Sequence, residues 1–500
     1  MAKAQTKDSG IADVEHQELR INKKIDMTQK IKYRFILLAL LALSACKVAQ
    51  DSTAQLQTVP QQYRNAVDDD VQEDTTSIAS IPWNDFFTDP VLLNLIDSAI
   101  ANNNDLQLAV NRINTAQWQL RQAKAGNYPE ANLQIAANSS RPSDNSLNGL
   151  SLNQFLGSRH IEDFTTAVNI SWEADIWGKI RGQKAAALAA YLQTEEARKA
   201  VQTQLIAQVA QGYYNLLMLH DQLKTAKQNL ALNDSTLTII REQYDVGDVT
   251  LLGLEQAEAQ RLAAAALIPT FEQNINIQEN ALHILVGKFP DTLPVVGKLA
   301  EIPIPAHLTA GVPSALLARR PDVKQAELAV VEASAYTHVA RASMYPSLSI
   351  TAQGGVNAFS ASNWFSIPAS LFGAVAGNVA QPIFLRKRLK TNYEVAKIDQ
   401  ENAVIQFKQS MLTAVGEVSD ALVKLEKLKQ RQQVSHSRTA KLQQAIQHAD
   451  LLFQTGMASY LEVITAQASV LQSELELAEI KKAQLDAMVD LYRSLGGGWM

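Results

Sequence analysis

From Asp89-Pro90 onward, apolar residues recur at helical spacings, with Leu92, Leu93, Leu95, Ile96 and Ile100 marking one face. This pattern predicts a helix running to about Ala125. Tyr128-Pro129 ends it, because proline lacks a donor and restricts the residue before it. The period then changes to two. Residues 132–136 (Asn-Leu-Gln-Ile-Ala) and 164–170 (Phe-Thr-Thr-Ala-Val-Asn-Ile) read as strands, separated by a Ser/Asn/Gly-rich loop at 138–160. A proline-free helical stretch follows, about 180–242. Gly247 marks a turn, and a second helix returns through 254–286 with Pro269 inside it, where a kink is expected. At 1.5 Å per residue, the stretch 180–242 reaches ~95 Å, several times the usual globular length.

The same succession then recurs. Residues 347–351 (Ser-Leu-Ser-Ile-Thr) read as a strand, 354–368 as a loop, and a small-residue segment leads to Gln381-Pro382. Long helices follow over about 387–454 and 460–495, turning at Gly456. Sliding 105–129 forward by 217 positions onto 322–346 gives seven identities in 25 positions: Asp105/Asp322, Ala109/Ala326, Ala116/Ala333, Ala123/Ala340, Ala125/Ala342, Tyr128/Tyr345 and Pro129/Pro346. Further along, an offset of 209 pairs Gly247 with Gly456, Leu252 with Leu461 and Gly287 with Gly496. The shorter second loop accounts for most of the eight residues lost between the two registers. The chain is thus a duplicated helix–β-hairpin–helix unit, far longer than a solenoid repeat. The expected divisions are 1–45, 46–80, a first repeat over 81–300 with its hairpin at 131–173, and a second over 301–500 with its hairpin at 346–381.

Four strands are too few to close a barrel, and an open sheet leaves edges that neither lipid nor water tolerates well. Three chains supply about twelve strands, enough to close a pore, and about twelve long helices around one axis. The expected fold is therefore mainly α with a membrane β-barrel: a homotrimer joining a 12-stranded barrel to a long α-helical tunnel. Alanines at seven-residue steps (109, 116, 123 and 326, 333, 340) suit a close-packed coiled-coil seam.

Composition narrows the address. A net charge of −5 gives no sign of a polyanion partner, so nucleic acid is not expected. Cys46 is the only cysteine, which excludes a disulfide framework. Lys30, Lys32 and Arg34 precede the apolar run Phe35–Leu43, which ends in Leu43-Ser44-Ala45-Cys46. That is the layout of a secretory signal, too short to span a bilayer comfortably. It also resembles a bacterial lipobox, which implies a lipid on Cys46, and Lys47 after it favours the outer membrane. Met27 is a candidate start. Residues 47–80 are polar and read as a tether.

Specific segments then resemble the outer-membrane efflux channel family, the trimeric exit ducts of tripartite pumps. They are residues 172–181 (Trp-Glu-Ala-Asp-Ile-Trp-Gly-Lys-Ile-Arg), 316–323 (Leu-Leu-Ala-Arg-Arg-Pro-Asp-Val), Tyr345-Pro346-Ser347-Leu348 and 456–463 (Gly-Met-Ala-Ser-Tyr-Leu-Glu-Val). The similarity covers about 80–496, and with the lipobox it points to the lipoprotein branch tied to drug and heavy-metal efflux. It implies a short outer-membrane barrel above a periplasmic helical tunnel, closed at its tip until a periplasmic adaptor engages it, and powered by an inner-membrane RND-type transporter. The sequence departs from the family twice. Pro382-Ile383-Phe384 continues as Leu385-Arg386-Lys387-Arg388 where glycines are common, and Gly253 and Thr465 stand where aspartate is common.

Glu462 falls on a position where relatives narrow the pore with acids; Asp248 and Glu255 are further gate candidates. Repeated three times, such carboxylates select cations, against the plainer reading of solvated helix surface. Gly247 and Gly456 expose helix tips that suit adaptor docking. Arg386, Lys387, Arg388 and Lys390, mirrored by Lys179 and Arg181, suit a membrane edge where cationic chains reach headgroups. Trp172 and Trp177 either join an aromatic belt or pack the barrel base. The eight histidines are scattered, and no catalytic constellation or cysteine metal site is found. No cofactor is expected beyond the lipid on Cys46, and the chain reads as a conduit for drugs or other small toxic compounds rather than an enzyme. Two other readings stay open: an exit duct for type I protein secretion, and a periplasmic coiled-coil scaffold without a pore. Paired amphipathic strands in matching places argue against the scaffold.

Overall fold

The structure is a computed structural model, and it describes residues 60, 63, 77–155, 157–294, 297–305 and 310–500. Cys46 and the signal-like segment lie outside the described residues. The helices are α1 (Trp83–Phe86), α2 (Pro90–Asn102), α3 (Asn104–Ala125), α4 (Leu147–Phe155), α5 (Lys179–Asp245), α6 (Leu251–Leu285), α7 (Leu316–Arg319), α8 (Pro321–Ala342), α9 (Arg388–Gln454) and α10 (Tyr460–Ser494). The strands are β1 (Glu130–Ser140), β2 (Ile161–Ala174), β3 (Ser347–Ala358) and β4 (Leu371–Ala380).

The duplication is carried through in three dimensions. α3 and α8 each have 22 residues, α5 and α9 each have 67, and α6 and α10 each have 35. At 1.5 Å per residue the longest pair spans ~100 Å. Residues 141–160 join β1 to β2 and 359–370 join β3 to β4, so the loops differ by eight residues and absorb the whole change of register.

The strands form one antiparallel sheet in the order β1-β2-β3-β4, with lengths that suit tilted membrane strands. Its register sorts the side chains. Leu133 faces Val168, Ile170 faces Ala352, Trp172 faces Ile350 and Ala352 faces Val375, all on one face. Asn132 faces Asn169, Asn169 faces Gln353, and Ser349 faces Asn378 on the other. The apolar row is open: Leu133 is 67% exposed, Ile135 65% and Val375 79%. The helices below follow the same lateral order, α3 on α5, α5 on α8 and α8 on α9. Ala109 and Ala116 of the alanine seam are buried, while Ala326, Ala333 and Ala340 are half-buried. One core gathers Leu92, Ile96, Ile206, Val209, Tyr213 and Met488 from α2, α5 and α10; a second gathers Val323, Phe407, Val418, Leu491 and Tyr492 from α8, α9 and α10.

Three expectations are corrected. The helix from Asp89 does not run unbroken to Ala125; it stops at Asn103, whose side chain accepts from the Leu106 amide and starts α3. The segment 138–160 is not wholly loop, since it holds α4. Gly354 and Gly355 are not loop but strand, within β3. Gly355 belongs there because a Cβ would lie 2.0 Å from the Thr166 carbonyl oxygen of β2. As expected, Pro269 lies inside α6.

Candidate functional site

Two places combine polar organisation with exposure: the helical tip and the hairpin-to-helix junctions. At the tip, α5 turns into α6 and α9 into α10. The Gly247 amide donates to Tyr244 O and the Asp248 amide to Gln243 O; the Gly456 amide donates to Phe453 O and the Met457 amide to Leu452 O. Both glycines are left-handed, with φ of 86° and 73°, so these are Schellman closures, which favour glycine over any residue with a Cβ. Nothing lies within 4 Å of where either Cβ would stand, which leaves both turns free on the surface.

Ion pairs lock each turn's own helices together. Arg241 meets Glu258 at 2.8 Å and Arg261 meets Asp234 at 2.8 Å between α5 and α6; Arg431 and Arg438 both hold Glu476 between α9 and α10. A small apolar cluster of Ile240, Ala257, Phe453 and Val463 packs the two turns against each other. Two polar links cross between them. The Tyr460 hydroxyl donates to Gln256 Oε1 at 2.5 Å, and the buried Gln467 amide donates to Thr236 Oγ1 at 2.8 Å. Tyr460 also covers Gly253, where a Cβ would lie 2.8 Å from its ring.

Glu462 is exposed in the first turn of α10 and accepts a hydrogen bond from the Ser459 hydroxyl. That bond, joined by backbone amides at the helix start, holds its carboxyl below the ordinary range. Asp248 and Glu255 are exposed or nearly so and make no ion pair among the described residues. The structure therefore groups the three acids at the helical tip without an ion pair among the described residues. The residues that join the two turns, Tyr460, Gln256, Gln467 and Thr236, were not singled out from sequence. Tyr460 alone carried a signal, since it stands in the 456–463 motif.

At the first junction, Trp177 Nε1 donates to Pro346 O at 2.7 Å and its ring stacks on Tyr345 at 4.8 Å. Trp177 is half-buried and packs the base of the sheet. Trp172 lies on the apolar face, 37% exposed, and donates to Asn127 O. Asp175 accepts from the amides of Ile180 and Arg181 at 2.9 and 3.0 Å and from Arg181 Nε, and Glu173 holds Lys179 at 3.0 Å. At the second junction Arg386, Lys387, Arg388 and Lys390 are all exposed.

A third arrangement closes each repeat. Asn103 Nδ2 donates to Leu285 O at 2.9 Å, and its counterpart Arg320 donates to Ser494 O at 3.1 Å, to Glu417 at 2.8 Å and to Asp322 at 2.6 Å. Among the described residues no cluster of three or more His, Cys, Asp or Glu is placed to hold a metal ion, and no helix is long and apolar enough to cross a membrane.

Comparison with known proteins agrees with this geometry. The family model described as outer membrane efflux protein matches residues 95–288 and 312–497, one segment in each repeat. The cation efflux system protein CusC of Escherichia coli O6:H1 (strain CFT073) is 30% identical over 463 residues, covering 92% of this chain and 97% of that protein. The probable outer membrane lipoprotein SilC of Salmonella typhimurium is 27% identical over 446 residues, covering 88% and 93%. A crystal structure of CusC superposes with a TM-score of 0.77 at 29% identity, covering 91% of this chain and 100% of that one.

Proposed function

The chain belongs to the outer membrane efflux protein family and is an outer-membrane exit duct of an efflux pump, and from that premise we propose how it closes, opens and is anchored. The carrying observation is the sheet. Four strands with an apolar and a polar face have two unpaired edges, and lipid admits no open edge. Joining β4 of one copy to β1 of the next three times gives twelve strands, with the row of Leu133, Ile135 and Val375 toward lipid and the row of Asn132, Asn169 and Gln353 toward the lumen. The helices repeat the logic. α9 carries Ile398, Ile405 and Leu412 at seven-residue steps, each more than half exposed, while α3 exposes Leu108 and Trp118. These stripes suit a coiled-coil seam between copies.

Opening is assigned to the tip. Each helix pair is stapled by its own ion pairs, whereas the pairs are joined by the Tyr460–Gln256 and Gln467–Thr236 links. Parting the pairs at the tip alone costs two neutral hydrogen bonds and a small apolar contact, while Gln211–Asp490 and the core above stay joined, so an adaptor docking on the Gly247 and Gly456 turns has little to break. Glu462, Asp248 and Glu255, repeated by symmetry, give the aperture its cation preference. An RND-type inner-membrane transporter supplies the energy, and the duct itself stays passive. A lipid on Cys46 tethers the chain to the outer membrane, which fits the lipoprotein name of SilC.

The cargo is small toxic compounds, drugs among them. CusC is named for cation efflux; in this chain a cation would pass as cargo, since selection lies with the pump. The test is drug and metal-ion susceptibility of a cell lacking its own duct, complemented with the full chain and a cognate adaptor and transporter. Restored resistance supports the reading. Restored secretion of a protein substrate without resistance would replace it with type I secretion.

A further inference from the structure

The two strand-to-helix junctions are equivalent by the 209-residue offset, yet they handle charge in opposite ways. In the first, Lys179 and Arg181 are neutralised within the chain by Glu173 and Asp175. Their counterparts Arg388 and Lys390 keep the positive charge, but Pro382 stands for Glu173 and Phe384 for Asp175. Two further cations are added, with Arg386 for Trp177 and Lys387 for Gly178. Among the described residues no carboxylate pairs with any of the four. Glu394, the next acid along α9, bonds none of them.

The apolar side chains of this junction are unusual as well. Ile383 is 96% exposed and Phe384 82%, directly beside the cations. Water and a polar lumen both disfavour that exposure, which leaves the membrane surface or the seam with the next copy to cover it. The junction begins just past Ala380, where β4 leaves the sheet, so it stands at the periplasmic edge of the membrane. An amphipathic patch there meets headgroups with its cations and acyl chains with its apolar pair. In the first repeat the Asp175 carboxylate marks where an anion rests on this junction, against the first amides of the helix and the Arg181 guanidinium. The second repeat leaves that place for an anion from outside.

We propose that the Ile383–Lys390 junction is a binding site for an anionic glycerophospholipid of the periplasmic leaflet. The phosphodiester takes the place that Asp175 holds in the first repeat, between Arg386, Lys387, Arg388 and Lys390, and the acyl chains lie along Ile383 and Phe384. The inference rests on the outer-membrane channel reading. It adds a lipid specificity carried by one repeat only.

The experiment is native mass spectrometry of the full-length trimer in mild detergent, titrated with phosphatidylglycerol and phosphatidylcholine of matched acyl chains. Wild type is expected to retain phosphatidylglycerol preferentially, roughly one molecule per protomer. Each cation beside an anionic headgroup contributes roughly a fivefold factor, so the quadruple Gln variant at 386, 387, 388 and 390 should lose that preference by at least about tenfold. Phe384→Asp, which restores the internal acid of the first repeat, should weaken retention while leaving the trimer intact. Equal retention of the two lipids, or undiminished retention in Phe384→Asp, overturns the proposal. So does dissociation of the quadruple variant into monomers while Phe384→Asp still retains lipid, which would make the patch a contact between copies. Displacement by millimolar inorganic phosphate would make it a soluble-anion site and overturn it too. Bilayer insertion of the same preparations separates the premises: trimers that insert without lipid preference sink only this inference, and folded trimers that never insert sink the channel reading.

Discussion

Arg320 is the place where one substitution should cost most outside the apolar cores. Its side chain is 6% exposed and reaches Asp322 at 2.6 Å, Glu417 at 2.8 Å and the Ser494 carbonyl at 3.1 Å, tying the start of α8 to the middle of α9 and the end of α10. Arg320→Met keeps the bulk and removes every donor. Breaking a fully buried pair costs about 3–5 kcal/mol, but Asp322 and Glu417 are 48% and 34% exposed and regain water in part. The orphaned carbonyl adds about 1 kcal/mol. The balance is a loss of about 3 kcal/mol, which moves the guanidinium midpoint of the detergent-solubilised full chain down by roughly 0.5–1 M. Burial raises the Asp322 pKa, but the Arg320 hydrogen bonds outweigh it and leave the carboxyl below its ordinary 3.8. A depressed carboxyl stabilises fully above its ordinary pKa, and that contribution is lost as pH falls through the lower native value. The wild type should therefore lose stability below about pH 4, and Arg320→Met should lose less over that window. Glu417→Gln should destabilise wild type yet cost little when Arg320→Met is already present. A midpoint for Arg320→Met equal to that of wild type, or strictly additive effects at 320 and 417, would refute the reasoning.

The remaining predictions concern the sheet, the junction and the tip. Gly355→Ala places a Cβ 2.0 Å from the Thr166 oxygen, whereas Gly377→Ala meets nothing within 4 Å; the first should abolish heat-resistant trimers on gels and the second should not. Lys387 sits at φ 64° where the first repeat has Gly178 at 76°, so Lys387→Gly should relieve about 1 kcal/mol of backbone strain and raise the denaturation midpoint. Gly456→Ala should cost about 1 kcal/mol through its left-handed φ alone, read as faster protease nicking at that turn. Glu462→Ala should reduce the cation preference of the open pore in reversal-potential measurements; an unchanged preference removes Glu462 from the aperture.

Much of the fold was legible because duplication doubles every signal. The 217 and 209 offsets located helices that the structure places in the same registers, and the eight-residue difference fell wholly in the hairpin loops. The break at Asn103 was hidden because helical periodicity continues across it; the local cap on the Leu106 amide is joined there by a tertiary bond to Leu285 O. Gly354 and Gly355 read as loop residues, since close approach of β2 is a tertiary fact. The tip glycines were legible because their requirement is local. Tyr460–Gln256 was not, for the two residues lie 204 positions apart. The missing acids of the second junction were visible in sequence, but their meaning required seeing Asp175 and Glu173 neutralise the first.

The most direct test of a tip-gated pore is ion current through single trimers in a planar bilayer, comparing wild type with Tyr460→Phe/Gln467→Leu, which removes the two polar links between the helix pairs at the tip. The account predicts small, brief, cation-preferring openings for wild type and larger, longer ones for the variant, with the barrel unchanged. Variant trimers that are fully inserted and heat-resistant, yet carry no current, would contradict it.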